Sequence, residues 1–101
     1  MYMLDFTSLK EFAWDEGNVT KSYQKHGITQ KETEEIFLDE QVLFLEDIKH
    51  SQKEKRFIAI GKTLSGNVLF AVFTVRMQTI RVISVRKANR KERRQYTYEK
   101  T

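Results

Sequence analysis

The chain contains no cysteine and no proline, and only four glycines and one tryptophan among 101 residues. Without cysteine it forms neither a disulfide nor a thiolate metal site, and a reducing compartment is expected. No apolar run approaches the ~20 residues that cross a bilayer, so no membrane partner is expected. The opening MYMLDFTSLKEF lacks a basic region followed by an apolar block and does not read as a secretory signal. A soluble, cytoplasmic protein is the expectation. The length suits a single domain over residues 1–101 with one modest core. A hydrophobic fraction of 40% separates the chain from those disordered by composition.

What is present is charge, unevenly spread. Residues 76–101 hold nine Lys/Arg against two Glu, a surplus of +7, while residues 1–75 hold nine against twelve acidic residues, a deficit of −3. Such a split suits a basic surface for a polyanion, most commonly nucleic acid. A solvated basic tail gives the same count.

Along the chain, Phe12 to Trp14 form a short apolar piece. Asp15 suits an N-cap, Val19, Tyr23 and His26 recur at helical spacing, and Gly27 is a natural stop. Thr29 and Glu32 fit a capping box for a second helix, QKETEEIFLDE. VLFLEDI (42–48), RFIAIGKT (56–63), VLFAVFTVR (68–76) and IRVISVR (80–86) are β-branched, aromatic-rich runs of strand length. LSGN and MQT separate the last three, with Gly66 available for a positive φ. ANRKERRQYTYEK reads as a charged helix with Ala88, Glu92 and Tyr96 on one face. Its few apolar anchors predict a loosely held element. The order predicts an α+β domain: two N-terminal helices packed on one face of an antiparallel four- to five-stranded sheet, then a C-terminal helix.

A symmetric hairpin at Ser65–Gly66 sets Arg56 across from Val75, and a turn at Met77–Gln78 sets Arg76 across from Thr79. One face then carries Arg56, Ile58, Ile60, Phe73, Val82, Ser84 and Arg86. The other carries Phe57, Val72, Thr74, Arg76, Arg81 and Ile83. A single bulge exchanges members of these sets. Whichever face they take, Arg56, Arg76 and Arg81 cluster toward one end of the sheet, where the loop HSQKEKR brings His50 and Glu54.

That combination suits RNA cleavage without metal. A base takes the 2′-hydroxyl proton, an acid protonates the leaving 5′-oxygen, and cations stabilise the phosphorane-like charge. The planar fork of arginine holds phosphate oxygens at two points. His50 titrates in the useful range, and Glu54 is either the complementary base or an orienting group. The plainer reading is an exposed histidine beside a surface Glu–Arg pair of little energetic value. Other chemistry is weaker. His26 and His50 have no local zinc-ligand spacing, GNVTKS lacks a phosphate-loop lysine pattern, and Ser84 lacks a nucleophile-elbow context. Trp14, Tyr23, Phe37, Phe70 and Phe73 read as core. Tyr96 and Tyr98 stand among Arg90, Lys91, Arg93 and Arg94, which suits either RNA or an acidic partner, or else a solvated helix.

The segments FAWDEGN, KSYQKHGIT, HSQKEKRFIAIGKTLSGNVLFAVFT and IRVISVRKANRKERRQY together resemble the BrnT family of bacterial toxins over about residues 10–98. The most specific parts are the WD start, KHG, H–x3–E–x–R, FT–x–R and R–x–I–S–x–R–K–A. The resemblance implies a RelE-like α+β fold and a ribonuclease toxin of a type II toxin–antitoxin pair. It implies inhibition by a BrnA-type antitoxin protein, with operator DNA bound only through that antitoxin, and no cofactor. Matching polar positions are Lys25, His26, His50, Glu54, Arg56, Arg76, Arg81 and Arg86. Ser22 stands where the family often has Asn, and Val85 where it usually has Ala; neither removes a proton-transfer group.

The leading expectation is therefore a metal-independent endoribonuclease that lowers translation. Arg56, Arg76 and Arg81 hold phosphate, and His50 and Glu54 transfer protons in unassigned roles. Lys25, His26, Arg86, Lys87, Arg90, Arg93 and Tyr96 serve RNA or antitoxin contacts. Its rivals are a non-catalytic nucleic-acid- or partner-binding module and a degenerate toxin that acts only in repression of its operon.

Overall fold

The structure is a computed structural model that describes residues 11–14, 25–51 and 53–100, the last three by backbone alone. In chain order the elements are β1 (Glu11–Ala13), α1 (Gln30–Leu38), β2 (Leu43–Glu46), a 3-10 turn (Ile48–His50), β3 (Phe57–Lys62), β4 (Val68–Arg76), β5 (Thr79–Lys87) and α2 (Arg90–Lys100). The five strands form one sheet in the order β1-β5-β4-β3-β2. β2 to β5 make the expected antiparallel meander. The fully antiparallel sheet of the sequence reading is corrected at one edge, because β1 pairs with β5 in parallel and the sheet is mixed. Side-chain alternation marks a strand but carries no record of its partner's direction, and the long stretch between β1 and β5 supplies the crossover that parallel pairing needs.

The hairpins set the faces. Lys62 pairs with Val68 around a five-residue loop in which Gly66 has φ +95. This register differs by one residue from the symmetric hairpin, so Arg56 falls level with Thr74 rather than Val75. The β4–β5 turn is as expected, with Arg76 opposite Thr79. Met77 and Gln78 take φ 50 and 67, the two positive values of a type I′ turn, without the usual glycine. Farther along, Phe73 pairs with Val82 but Val72 pairs with Ser84, so Ile83 is the extra residue of a bulge. The expected faces are therefore corrected. Phe57, Ala59, Gly61, Leu69, Ala71, Phe73, Val82 and Val85 share the core face. Alternation from the observed pairs puts Arg56, Thr74, Arg76, Arg81, Phe70 and Arg86 together on the other.

α1 lies on the core face. Its cap is the predicted capping box: Glu32 N–H donates to Thr29 Oγ1, and Thr29 N–H donates to Glu32 Oε1. Ile36 is fully buried, and Phe37 packs edge-on against Phe12 and Phe73 with centroids 5.3 and 5.1 Å apart. A Cβ on Gly61 would lie 2.7 Å from the Ile36 carbonyl oxygen, so glycine permits this close approach of helix and strand. The other expected N-terminal helix, over residues 15–26, falls largely outside the described residues; Lys25 and His26 form a helical end closed by Gly27 at φ +67.

α2 crosses the opposite face and is firmly held, contrary to expectation. Asn89 and Glu92 cap it reciprocally, at 2.9 and 2.8 Å. Glu92 also accepts both Arg86 Nη groups at 2.7 and 2.8 Å, while the Arg86 guanidinium stacks on Phe70 at 4.2 Å. Tyr96 is 4% exposed and its hydroxyl donates to Asp39 at 2.6 Å. Asp39 closes α1 and also accepts the Lys62 N–H, so it ties α1, β3 and α2 together around the sheet. The sequence shows few apolar anchors here because the anchors are polar.

Candidate active site

Hydrogen bonds hold the two ends of the loop between Asp47 and Arg56 together. Asp47 N–H donates to the Arg56 carbonyl at 2.8 Å, closing the neck. Ser51 Oγ donates to the Asp47 carbonyl at 2.6 Å and accepts the Arg56 N–H at 2.9 Å. Thr74 Oγ1 donates to the Lys55 carbonyl at 3.0 Å, which fastens the segment to β4. Both hydroxyls thus satisfy backbone groups that a sharply turning loop leaves without ladder partners.

The clamped loop presents Glu54 to Arg76 at the end of β4. Arg76 Nε donates to Oε2 at 2.6 Å and Nη2 to Oε1 at 3.2 Å, a two-point carboxylate–guanidinium pair. The hydrogen bond from Arg76 holds the Glu54 carboxyl below its ordinary range. Desolvation opposes this, and the charges of Arg76, Arg81 and Arg56 reinforce it. The pair in turn holds the Arg76 guanidinium more firmly protonated. Arg76 thus holds the carboxylate directly, and Arg81 and Arg56, level with Thr74 on the neighbouring strands, act on it through their charge. Beside them is a cleft of about 320 Å³ lined by Ala13, Trp14, Arg76, Thr79 and Arg81. Trp14 is half-buried, with its indole N–H donating to Glu34 Oε2 of α1 at 2.9 Å.

His50 lies on the same loop. Its Nδ1 is 3.0 and 3.1 Å from the two Asp47 carboxylate oxygens, and its side chain is 62% exposed against 14% for Asp47. Among the described residues, no three His, Asp or Glu side chains gather as a metal set, and no helix is long and apolar enough to cross a membrane.

A family model described as the ribonuclease toxin BrnT of type II toxin–antitoxin systems matches residues 14–92. The chain belongs to the BrnT family. The 1.1 Å crystal structure of the Brucella abortus ribonuclease toxin BrnT is similar to it with a TM-score of 0.60 and 25% identity, over 80% of this chain and 100% of that one. No curated protein sequence matches. The BrnT-matched span begins at Trp14 of the cleft and ends at Glu92, the partner of Arg86.

Of the positions carried over from the BrnT resemblance, Glu54 and Arg76 pair directly, Arg76 and Arg81 line the cleft, Arg56 and Arg81 add their charge at Glu54, and His50 shares the loop of Glu54. Lys25 and His26 are not among the described residues that line the cleft. Arg86, Lys87, Arg90 and Arg93 lie toward the far end of β5 and on α2. There Arg86 is committed to Glu92 and Phe70, and Arg93 donates to the Ala88 carbonyl at 2.7 Å. Tyr96 is corrected from an exposed stacking ring to a buried anchor of α2, since 4% exposure leaves its ring no open face. The side chain of Tyr98 lies outside the description. The sequence reading missed three residues. Trp14 packs against the core as read and also lines the cleft, as does Thr79. Asp47 holds His50; the only signal for it was the D-x-x-H spacing.

Proposed function

We propose that this BrnT-family chain is a metal-independent endoribonuclease that cuts RNA at the cleft between β1 and the start of β5. The observation that carries the reading is the convergence of Arg56, Arg76 and Arg81 on Glu54 beside that cleft. In the RNA-bound state a phosphate takes the place that the Glu54 carboxylate holds in the free protein. The guanidinium fork binds either anion by the same two-point geometry. The arginines then offset the charge that grows on the phosphate oxygens as the 2′-hydroxyl attacks. The half-buried Trp14 offers an indole face for an unstacked base.

Attack by the 2′-oxygen forms a bond to phosphorus and breaks the bond to the 5′-oxygen. It leaves a 2′,3′-cyclic phosphate and, once the departing 5′-oxygen takes a proton from water, a 5′-hydroxyl end; it needs a group that removes the 2′ proton. Of the two candidates, His50 suits that task better. Three guanidinium groups lower the basicity of Glu54, whereas His50 keeps Nε2 open while Nδ1 is occupied by Asp47. Glu54 then aims Arg76.

The finer expectations of the family belong to the same proposal. The fold is RelE-like, residues 1–101 act as one toxin domain in the cytoplasm, and RNA cleavage inhibits translation. A BrnA-type antitoxin neutralises the toxin and carries any contact with operator DNA. Purified protein treated with EDTA is expected to cut an oligoribonucleotide to a cyclic-phosphate product, and Arg76→Ala is expected to lose about 10²-fold or more in kcat. RNA that is retained but left uncut by the unaltered protein would sink the enzymatic reading in favour of a binding module.

A further inference from the structure

Aspartate at the residue before a helical turn ordinarily uses its side chain to accept the turn's free N–H groups. Asp47 stands at that position ahead of the 3-10 turn Ile48–His50, yet its carboxylate makes no capping hydrogen bond. Both oxygens are instead within 3.0–3.1 Å of His50 Nδ1. The aspartate cannot easily turn away. Its N–H is bound to the Arg56 carbonyl at 2.8 Å, and its own carbonyl accepts from Ser51 Oγ at 2.6 Å. It is also the more sheltered partner, 14% exposed against 62% for the imidazole. A sheltered carboxylate on an anchored backbone, facing an exposed ring, sets the ring's orientation.

From this geometry we infer that Asp47 is a positioning residue that holds His50 as the Nδ1–H tautomer and leaves Nε2 as the basic atom toward RNA. The inference rests on the reading of the cleft as an RNA-cutting site with His50 as base. A carboxylate on Nδ1–H selects the neutral tautomer with a lone pair on Nε2 and stabilises the imidazolium once the 2′ proton has moved there. The same neck hydrogen bonds run to Arg56, so one short loop fixes the base and one phosphate-binding cation relative to each other.

The test compares wild type, Asp47→Asn, Asp47→Glu and His50→Ala. Nitrogen NMR on the free proteins reads the His50 tautomer, and steady-state kinetics on a fluorescent oligoribonucleotide of mixed sequence read kcat and KM separately. For Asp47→Asn the expected result is loss of the Nδ1–H preference and a fall in kcat of about 10²-fold, less than the ~10⁴-fold of a fully buried dyad. KM is expected to stay within about twofold, because Asp47 does not touch RNA in this scheme. Asp47→Glu, which keeps the carboxylate, recovers part of kcat. A merely structural role would leave the tautomer unmoved, and an Asp47→Asn protein with wild-type tautomer and kcat overturns the inference. Full cleavage by His50→Ala overturns it as well. Absence of cleavage by the wild type refutes the ribonuclease reading itself, a failure distinguishable because the tautomer measurement needs no RNA.

Discussion

At the scale of single residues, the pair between Glu54 and Arg76 governs what the cleft presents to solvent. The Glu54 carboxyl titrates below its ordinary value. Any stability the pair contributes is therefore present above the unfolded carboxylate range, and is lost only as pH falls below that range. The pair therefore stays closed at neutral pH. Glu54→Gln removes the anion on which three guanidinium ions converge. It is expected to tighten binding of a non-cleavable 2′-deoxy oligonucleotide several-fold while lowering cleavage, measured by fluorescence anisotropy and product formation. The sequence placed Arg56, Arg76, Arg81 and Glu54 at one end of the sheet from strand lengths alone. It could not put all three arginines on one face, because a single residue of register in the β3–β4 loop reverses the side on which Arg56 projects.

At the scale of elements, Gly61 is where α1 meets β3. Gly61→Ala places a methyl 2.7 Å from the Ile36 carbonyl oxygen, a backbone atom that cannot step aside. A loss of about 1–3 kcal/mol is expected, read by urea denaturation. On the opposite face, Tyr96 pins α2 to Asp39. Burial, and then the hydrogen bond and charge of Asp39, push the Tyr96 hydroxyl well above its ordinary value. Its contribution is thus complete below the unfolded tyrosine value near pH 10 and is lost only as pH rises through the higher folded one. Tyr96→Phe is expected to cost about 1–2 kcal/mol and to increase amide exchange in residues 90–97 selectively. The meander and the Thr29–Glu32 cap were legible because each is a local pattern. The docking of α2 was not, since Asp39 and Tyr96 lie 57 positions apart and nothing local couples them.

At the scale of the whole molecule, the charge split becomes geometry. Arg76 and Lys87 lie at opposite ends of the sheet, roughly 26 Å apart along a nine-residue strand. Beyond Lys87, α2 displays Arg90 and Arg94 one helical turn apart, both exposed. An RNA long enough to reach from the cleft to α2 is expected to bind with a steeper salt dependence than a short one. The double change Arg90→Ala and Arg94→Ala is expected to reduce that slope by about 0.7 for each phosphate no longer neutralised, with no effect on a short oligonucleotide. The sequence carried this asymmetry openly, and the family too, through motifs spread over most of the chain. The parallel attachment of β1 was not legible, and it has a kinetic consequence. Ala13 and Trp14 reach the cleft only when β1 adds to β5, across 68 positions of chain from Glu11 to Thr79. Closing so long a loop comes late in folding. During synthesis the cleft therefore stays incomplete until β5 has left the ribosome, so the strands that emerge earlier carry no finished site.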